Sequence, residues 1–209
     1  MIALVALLVA QAASPAPAPL SSADIAARLA AAGVSAAELA RLEEGELVAE
    51  TNQETAGARG EGRGSVLVHR PEGELWRILT DHRRFPEFMP RIEKVQVLDE
   101  TPGGERSQLW LDATVKHIDY ALDYRYRPEA GVIVYSMAKD PPPHGVKEAS
   151  GTWRLIPVDA GASTVVVYAS KIDIGFWVPG FVAEYLSKRS IPNVLEAVKR
   201  RAEAGFGKK

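Results

Sequence analysis

The chain has 209 residues, of which 46% are hydrophobic, and it carries 25 basic and 27 acidic side chains and no cysteine. This length and apolar content predict one globular domain with a core of its own. The nearly balanced charge argues against a nucleic-acid binder, which needs a basic face to contact phosphates. Without cysteine, the chain has neither disulfides nor thiolate metal sites.

Residues 1–19 are predicted to form a secretory signal peptide followed by a Pro/Ala spacer. An apolar run extends from Ile2 to Ala10, and Ala10-Gln11-Ala12 gives a small-x-small cleavage pattern. The run is too short for a lasting membrane span, although it lacks the basic residue that usually precedes such a run. We therefore expect a secreted or periplasmic protein. The alternative is a cytoplasmic protein with a disordered leader.

An alanine-rich segment over residues 20–44 is predicted to form two short helices. Ser21 or Ser22 can cap the first helix, and Ser35 with Glu38 forms a capping box for the second. Bulky apolar residues are few in this segment and include Ile25, Leu29, Leu39 and Leu42. We expect the segment to pack on the outside of the main domain, which is predicted to span residues 45–209.

The glycine-rich stretch that follows is predicted to be a bulged strand or hairpin. Its glycines are Gly57, Gly60, Gly62 and Gly64, but their order matches neither G-x-G-x-x-G nor the P-loop pattern. A strand-like run follows them, whereas a nucleotide site needs a helix there. The pattern therefore argues against a nucleotide site.

A helix is predicted to begin at Pro71, which suits the first helical position. Leu75, Ile78 and Leu79 form its buried stripe. The helix ends before the segment DHRRFPEFMP, in which Pro86 and Pro90 prevent continuation. We expect this segment to form a packing corner in which Phe85, Phe88 and Met89 make apolar contacts.

From residue 92 onward the apolar pattern has a period of two, which predicts an antiparallel meander. The predicted strands are 92–100, 106–116, 118–127, 131–139, 147–157 and 163–174. In strand 118–127 the buried face carries Ile118, Tyr120, Leu122, Tyr124 and Tyr126. The opposite face of this strand carries Asp119, Asp123, Arg125 and Arg127. Asp112, Asp123, Arg125 and Arg127 are predicted to form a cross-strand charge network on the outer surface.

The C-terminal region is predicted to be a long helix with one apolar stripe, which includes Phe181, Tyr185, Leu195 and Val198. Pro192 must kink or restart this helix, and Ser190 is positioned to cap its second half. About 25 helical residues reach nearly 40 Å, which is long enough to cross a whole sheet.

The order of these elements is a strand, a short helical pair, a six-strand meander and a long C-terminal helix. Three stretches are characteristic: VLVHRPEGELWRILTDHRRFPEFMPRIEKVQVLDE, GTWRLIPVDAGASTVVVYASKID, and Pro-Gly-Phe at 179–181. With these stretches and this order of elements, the chain resembles the START-like (SRPBCC) superfamily over residues 45–205, and within it the polyketide cyclase/dehydrase and coenzyme Q-binding START branch.

The resemblance implies an α+β helix-grip fold, in which a curved antiparallel sheet wraps around the C-terminal helix and encloses an apolar cavity. Residues predicted to line the cavity are Phe88, Met89, Tyr120, Leu122, Tyr124, Tyr126, Tyr135, Trp153, Phe181 and Tyr185. The alternative is that these aromatic side chains simply fill the core. The sequence does not determine which face of strands 131–139 and 163–174 lines the cavity.

The sequence predicts no catalytic residue, no metal site and no cofactor. His69, His82, His117 and His144 show no metal-ligand spacing. Asp81 and His82 are adjacent at a helix end, which favours a solvated turn over an acid/base pair. The charged residues of strand 118–127 lie on the face away from the cavity, and the orientation of Arg154 and Lys171 is left open.

Two functions are therefore expected from the resemblance and the lining. The first is binding, with transport, of a hydrophobic small molecule such as a lipid, quinone or polyketide, without catalysis. The second is a polyketide cyclase or aromatase that uses an acid/base residue in the same cavity. We expect a monomer that makes transient membrane contact. A partner-binding module similar to the ribosome-associated toxin branch is a third interpretation, which export would exclude.

Overall fold

The computed structural model describes residues 20–53, 59–112, 117–174 and 188–205. The helices in these ranges are α1 (Ser22–Ala31), α2 (Ala36–Glu43), α3 (Glu72–Thr80) and α4 (Ser190–Glu203). The strands are β1 (Val48–Gln53), β2 (Arg59–Val68), β3 (Ile92–Thr101), β4 (Gly104–Asp112), β5 (His117–Arg127), β6 (Val132–Met137), β7 (Glu148–Val158) and β8 (Ser163–Asp173). Short 3₁₀ turns lie at His82–Glu87, Pro128–Ala130 and Asp159–Gly161.

These strands form one antiparallel sheet in the order β1-β2-β8-β7-β6-β5-β4-β3. The six predicted meander strands are present with ends shifted by a few residues, and β4 begins earlier than predicted, at Gly104. The glycine-rich stretch contributes β2, which pairs with both β1 and β8. The predicted α+β class and antiparallel sheet are therefore confirmed.

Helix α4 packs closely against β2 on the inner face of the sheet, and two glycines allow this approach. A Cβ atom on Gly64 would lie 2.7 Å from Cγ2 of Ile191 and 2.8 Å from Cδ1 of Leu195. A Cβ on Gly62 would lie 3.2 Å from Cγ1 of Ile191. The glycines of β2 thus serve helix packing, since any side chain would push the helix away from the strand.

The start of α4 differs from its prediction. The residue that precedes the helix is Arg189, and Ser190 is the first helical residue without capping the helix, so the predicted Ser190 cap is wrong. Pro192 lies in the first turn, where its missing N–H would have no helical partner anyway. Leu195 and Val198 are buried as the stripe predicts, whereas Phe181 and Tyr185 lie outside the described residues.

Helices α1 and α2 pack on the outer face of the sheet. Their apolar side chains share a second buried cluster with outward residues of the sheet, and this cluster contains Leu29, Ala32, Val34, Leu42, Val48, Leu67, Ile156, Val165 and Val167. Ser35 caps α2 as predicted, but the carboxylate of Glu38 does not complete a capping box. It accepts a hydrogen bond from Arg63 Nη1 at 3.0 Å and another from the hydroxyl of Ser65. The helical pair is therefore tied to β2 by a partly buried ion pair as well as by apolar contact.

The corner between α3 and β3 packs into the core through Phe85 and Met89, which are both buried. Arg83 and Arg84 stay at the surface, where they pair with Glu100 and Glu87. The prediction of a solvated turn is wrong for His82, whose side chain is 1% exposed. Its ring stacks on Tyr124 with the ring centroids 3.8 Å apart, so the corner is held by an inward histidine as well as by apolar residues.

Candidate ligand-binding site

A cavity of about 200 Å³ lies between the inner face of the sheet, the corner and the first turns of α4. The described residues that line it are Phe85, Met89, Pro90, Arg91, Ile92, Leu109, Leu111, Tyr120, Leu122, Tyr124, Tyr135, Ala149, Trp153, Tyr168, Ser170, Ile172, Ser190, Ile191 and Val194. Most of these side chains are aliphatic or aromatic, and the polar ones are mainly hydroxyls. This composition is usual for a small-molecule site.

The structure brings six of the predicted lining residues together around this cavity: Met89, Tyr120, Leu122, Tyr124, Tyr135 and Trp153. Phe88 and Tyr126 do not line it. Phe88 packs edge-on against Phe85, and Arg201 lies over its ring. Tyr126 packs against Trp76 instead, so the inward-facing side chains of β5 continue beyond the end of the cavity.

Three hydroxyls form a connected group on the cavity wall, which we call the hydroxyl cluster: Tyr135, Tyr168 and Ser170. The hydroxyl of Tyr135 lies 2.9 Å from that of Tyr168 and donates to Ser170 Oγ, also at 2.9 Å. Tyr135 reaches across β7 because Gly151 stands between it and Ser170 in register. A Cβ on Gly151 would lie 2.4 Å from the Tyr135 hydroxyl, so the missing side chain makes room for this contact.

The phenols of the wall are un-ionised at neutral pH. Burial raises the pKa of Tyr120, Tyr124 and Tyr135 well above the ordinary value of 10.0. Burial is also the main cause that raises the pKa of Tyr168, although hydrogen bonds with Ser170 and Tyr135 oppose it. These groups can therefore donate and accept hydrogen bonds, but they do not supply a negative charge or a strong base.

A second polar group lies on the inner side of the sheet, behind Tyr124. His82 Nδ1 lies 2.9 Å from Glu105 Oε1, and the Glu105 side chain is 2% exposed. The hydroxyl of Ser107 donates to the same oxygen. His82 Nε2 is buried and has no hydrogen-bond partner among the described residues. Neither His82 nor Glu105 lines the cavity, because Tyr124 and Phe85 stand beside the pair.

The charge state of Glu105 results from opposing effects. Burial raises the pKa of its carboxyl, but the hydrogen bond and the charge of His82, together with the Ser107 hydroxyl, outweigh burial and lower the pKa below its ordinary value of 4.5. Glu105 is therefore ionised at neutral pH. An inward-facing carboxylate is thus present, at a residue to which the sequence analysis assigned no role.

The alternation of inward and outward side chains along β4 is the sequence feature that identifies Glu105 as an inward-facing residue. Leu109 and Leu111 pair with Tyr120 and Ile118 on the inner face. Counting back by two residues from Leu109 places Ser107 and then Glu105 on that face, but the predicted strand began at residue 106 and stopped short of it. For β8, register with β7 places Tyr168 beside Trp153 and Ser170 beside Gly151, which settles the inner face of that strand.

The outer face carries the predicted charge network in part. Arg106 Nε lies 2.6 Å from Asp123 Oδ1 across β4 and β5, and Gln108 donates to Asp119. Lys171 also faces outward and lies 3.1 Å from Glu148. Arg154 lines a separate outer groove between α1 and the sheet.

Within the described ranges, no helix is both long and apolar enough to cross a membrane. In the same part of the chain, no three His, Cys, Asp or Glu side chains converge as metal ligands would.

A curved antiparallel sheet with an inner helix and an apolar cavity defines the class of START-like helix-grip proteins. The family model described as "Polyketide cyclase / dehydrase and lipid transport" matches residues 68–199. The chain belongs to this family. A sequence comparison with curated proteins found no significant match.

Solved structures agree on the fold. The STAR-related lipid transfer protein of Xanthomonas axonopodis is 18% identical, with a TM-score of 0.63 over 76% of this chain and 98% of that one. The Zhui aromatase/cyclase of Streptomyces sp. R1128 is 22% identical, with a TM-score of 0.58 over 76% and 94%. A START superfamily protein of Mycobacterium smegmatis is 16% identical, with a TM-score of 0.56 over 77% and 99%. The predicted helix-grip fold is therefore confirmed.

Proposed function

We propose that the protein binds a hydrophobic small molecule in this cavity and carries it without changing it chemically. The observation that supports the proposal is the lining itself, an aliphatic and aromatic wall whose polar groups are mainly hydroxyls. The volume of about 200 Å³ is below the roughly 300–1,000 Å³ of sites for drug-sized ligands. A ligand of few rings, or the apolar end of a larger lipid, fits this size.

The titratable groups around the cavity favour carriage over catalysis. Catalysis by proton transfer needs an acid or base whose pKa lies near the working pH and which reaches the ligand. The phenols of Tyr120 and Tyr135 are held un-ionised by burial. Arg91 carries a partly exposed guanidinium, a group that donates hydrogen bonds and offers no acceptor, so it does not serve as a base.

Native mass spectrometry of the protein purified from its own host tests the proposal. The expected result is a co-purified apolar molecule that is lost in Ala149→Leu, because Ala149 lines the cavity and a larger side chain would fill it. Ala162→Leu is the matched control, since Ala162 lies in an exposed turn. The melting temperature of each variant checks the fold. A wild-type protein that carries and binds no apolar molecule would contradict the proposal.

A second candidate function is cyclisation of a reactive polyketide, and the buried pair of His82 and Glu105 is the observation that favours it. These ionisable groups face the inner side of the sheet, where movement of Tyr124 or Phe85 would give them access to a ligand. The test is incubation with a poly-β-ketone thioester analogue. A cyclised product formed by the wild type and absent in a folded Glu105→Gln variant would favour the enzyme, whereas recovery of the unchanged analogue favours the carrier.

We also propose that the protein is exported, on the strength of the Ile2–Ala10 apolar run and the small-x-small pattern after it. A carrier outside the cytoplasm would move an insoluble molecule through water between membranes. Sequencing the N-terminus of the mature protein tests this proposal. A new N-terminus shortly after Ala12 is expected, and an intact Met1 in the soluble cell fraction would refute export.

A further inference from the structure

The outer face of β5, β6 and β7 carries three arginine side chains for which the described residues provide no partner. Cross-strand register places Arg127, Val132 and Arg154 in one row across these strands. Arg125 lies in the next row of the same face, opposite Val134. Within the described ranges, the side chains of Arg125, Arg127 and Arg154 form no hydrogen bond and no ion pair. The predicted charge network of this face therefore does not extend to Arg125 and Arg127.

Arg154 lines the outer groove between α1 and the sheet, which has a volume of about 260 Å³. The other described lining residues are Arg28, Ala31, Glu129, Ala130, Val132 and Ile156. Arg154 is partly buried, whereas Arg125 and Arg127 are exposed. A guanidinium that is partly withdrawn from water without a counter-ion is costly, and like-charged neighbours on the same face raise this cost. A bound anion would offset both effects.

The acidic residues of this area leave the positive charge in place. Arg28 is already engaged, since its Nη1 lies 3.9 Å from Glu72 Oε1 and its Nη2 donates to the main-chain carbonyl of Glu129 at 2.6 Å. The side chain of Glu129 is exposed and pairs with no cation of the described residues. Arg106 and Asp123 neutralise each other in a neighbouring row. Arg28 and the three unpaired arginines therefore outnumber the two carboxylates, although the whole chain has a formal net charge of -2.

We propose that the outer groove binds a phosphate group, which lies over Val132 between Arg127 and Arg154. Only β6 separates the strands of the two arginines, so their Cα atoms are roughly 10 Å apart and both guanidinium groups can reach one anion between them. A guanidinium presents a planar fork of donors that matches the oxygens of a phosphate in pairs. A phosphate monoester offers three free oxygens and up to two negative charges, so it suits two such forks better than a carboxylate does.

Titration of the full chain with inorganic phosphate, by calorimetry at constant ionic strength, tests the site. The wild type is expected to bind, and its melting temperature is expected to rise with phosphate because the ligand stabilises the folded state. In the double variant Arg127→Gln/Arg154→Gln, the dissociation constant is expected to rise at least about tenfold, as charge-assisted hydrogen bonds are lost. Arg41→Gln/Arg200→Gln is the matched control, since it removes two exposed positive charges from α2 and α4.

Arg154→Lys separates recognition by the planar fork from attraction by charge. The variant keeps the positive charge but replaces the guanidinium with a single ammonium group. Phosphate binding is expected to weaken several-fold while the net charge stays the same. Neither Arg154→Lys nor Arg154→Gln is expected to lower the melting temperature without phosphate, because no described residue loses a partner. The melting temperature of each variant checks this.

Vesicles distinguish a lipid headgroup from a soluble phosphate ester. The probes are phosphatidylcholine vesicles with and without phosphatidic acid, whose headgroup is a phosphate monoester. Co-sedimentation with the phosphatidic acid vesicles that is lost in Arg127→Gln/Arg154→Gln, and kept in Arg41→Gln/Arg200→Gln, would assign the phosphate to a lipid. Binding of inorganic phosphate without binding of these vesicles would assign it to a soluble ester.

The proposal is overturned if Arg127→Gln/Arg154→Gln binds phosphate as tightly as the wild type does. An equal loss in Arg41→Gln/Arg200→Gln also overturns it, because the attraction would then come from the overall charge. Acetate that binds as tightly as phosphate would indicate a carboxylate site instead. Absence of binding to both inorganic phosphate and the phosphatidic acid vesicles would refute the site altogether. None of these results bears on the function proposed for the cavity, which lies on the opposite face of the sheet.

Discussion

The imidazole of His82, in the corner after α3, forms a hydrogen bond to the carboxylate of Glu105 on β4, with 2.9 Å between Nδ1 and Oε1 and almost no exposure of either side chain. The pair joins a short irregular segment to the inner face of the sheet. It also supports the ring of Tyr124, which lines the cavity. The corner is thus positioned by electrostatic contact as well as by apolar packing.

Removal of one partner of this pair is expected to be strongly destabilising. Glu105→Ala leaves His82 and the Ser107 hydroxyl buried without their acceptor, and the free energy of unfolding is expected to fall by about 3–5 kcal/mol. Urea denaturation measures this change. Glu100→Ala is the control, because its ion pair with Arg83 is exposed and contributes less than about 1 kcal/mol. Equal small losses in both variants would show that the buried pair contributes no more to stability than the exposed pair does.

The same pair predicts a pH dependence of stability. The pKa of Glu105 is lowered on folding, so the ionised form favours the folded state. This contribution is complete above the unfolded-state pKa, near 4.5, and is lost as the pH falls through the lower folded-state pKa. The stability gap between the wild type and Glu105→Gln should therefore shrink on going from about pH 6 to about pH 3. Urea midpoints across this range measure the gap, and a constant gap would contradict the assignment.

Contact between β2 and α4 is expected to depend on Gly64. In Gly64→Ala the new methyl group would lie within 2.8 Å of Ile191 and Leu195, so the helix or its side chains must shift. A loss of roughly 1–3 kcal/mol in the free energy of unfolding is expected, as for other overpacked cores. Gly60→Ala in the same strand is the matched control, because its Cβ meets nothing within 4 Å. Comparable melting temperatures for the two variants would refute the close-packing explanation.

Gly151→Ala is expected to disrupt the hydroxyl cluster. Its methyl group would lie 2.4 Å from both the Tyr135 hydroxyl and the carbonyl oxygen of Ala169. We expect a loss of about 1–3 kcal/mol in stability by thermal denaturation. Gly103→Ala, in a turn with no atom near its Cβ, should change stability little. This prediction would be wrong if the Gly151→Ala protein kept wild-type stability and its crystal structure showed Tyr135 in the same position.

Attachment of the N-terminal helices to the sheet is expected to depend on Glu38. Glu38→Ala removes the acceptor of Arg63 and Ser65, which are both on β2. Amide hydrogen exchange in residues 22–43 should become faster while exchange in β7 and β8 stays slow. Glu43→Ala, on the exposed side of α2, is the control and should leave exchange unchanged. Uniformly faster exchange throughout the sheet would mean that the helices belong to the same cooperative unit.

Strand periodicity predicted most of the fold and part of the site. The alternation in β5 placed Tyr120, Leu122 and Tyr124 on the inner face, because a two-residue period assigns a whole strand once one buried residue is known. The same rule failed for Glu105 only because the start of β4 was placed two residues late. Strand ends are therefore the weak point of this inference.

The burial of His82 lay beyond what local sequence could predict. Its acceptor is 23 residues away on another element, and its stacking partner is on a third. Exposure of a residue at a helix end depends on which strand passes beneath it, which is a tertiary property. Phe88 and Tyr126 are predicted to line the cavity because they are aromatic. Both pack against the core as aromatic residues do, but whether such a side chain reaches the cavity depends on the position of the corner, which is also a tertiary property.

The close approach of α4 to β2 also determines where the cavity can grow. Ile191 packs against Gly62 and Gly64 of β2 on one side and lines the cavity on the other. Ile191 thus separates the part of the inner sheet face that α4 covers from the part that lines the cavity. Because the helix has no free space toward β2, we expect the corner at Phe85–Ile92 to be the described segment that moves outward when a larger ligand is admitted. The glycines of β2 therefore prevent the helix from making room for a ligand by moving toward that strand.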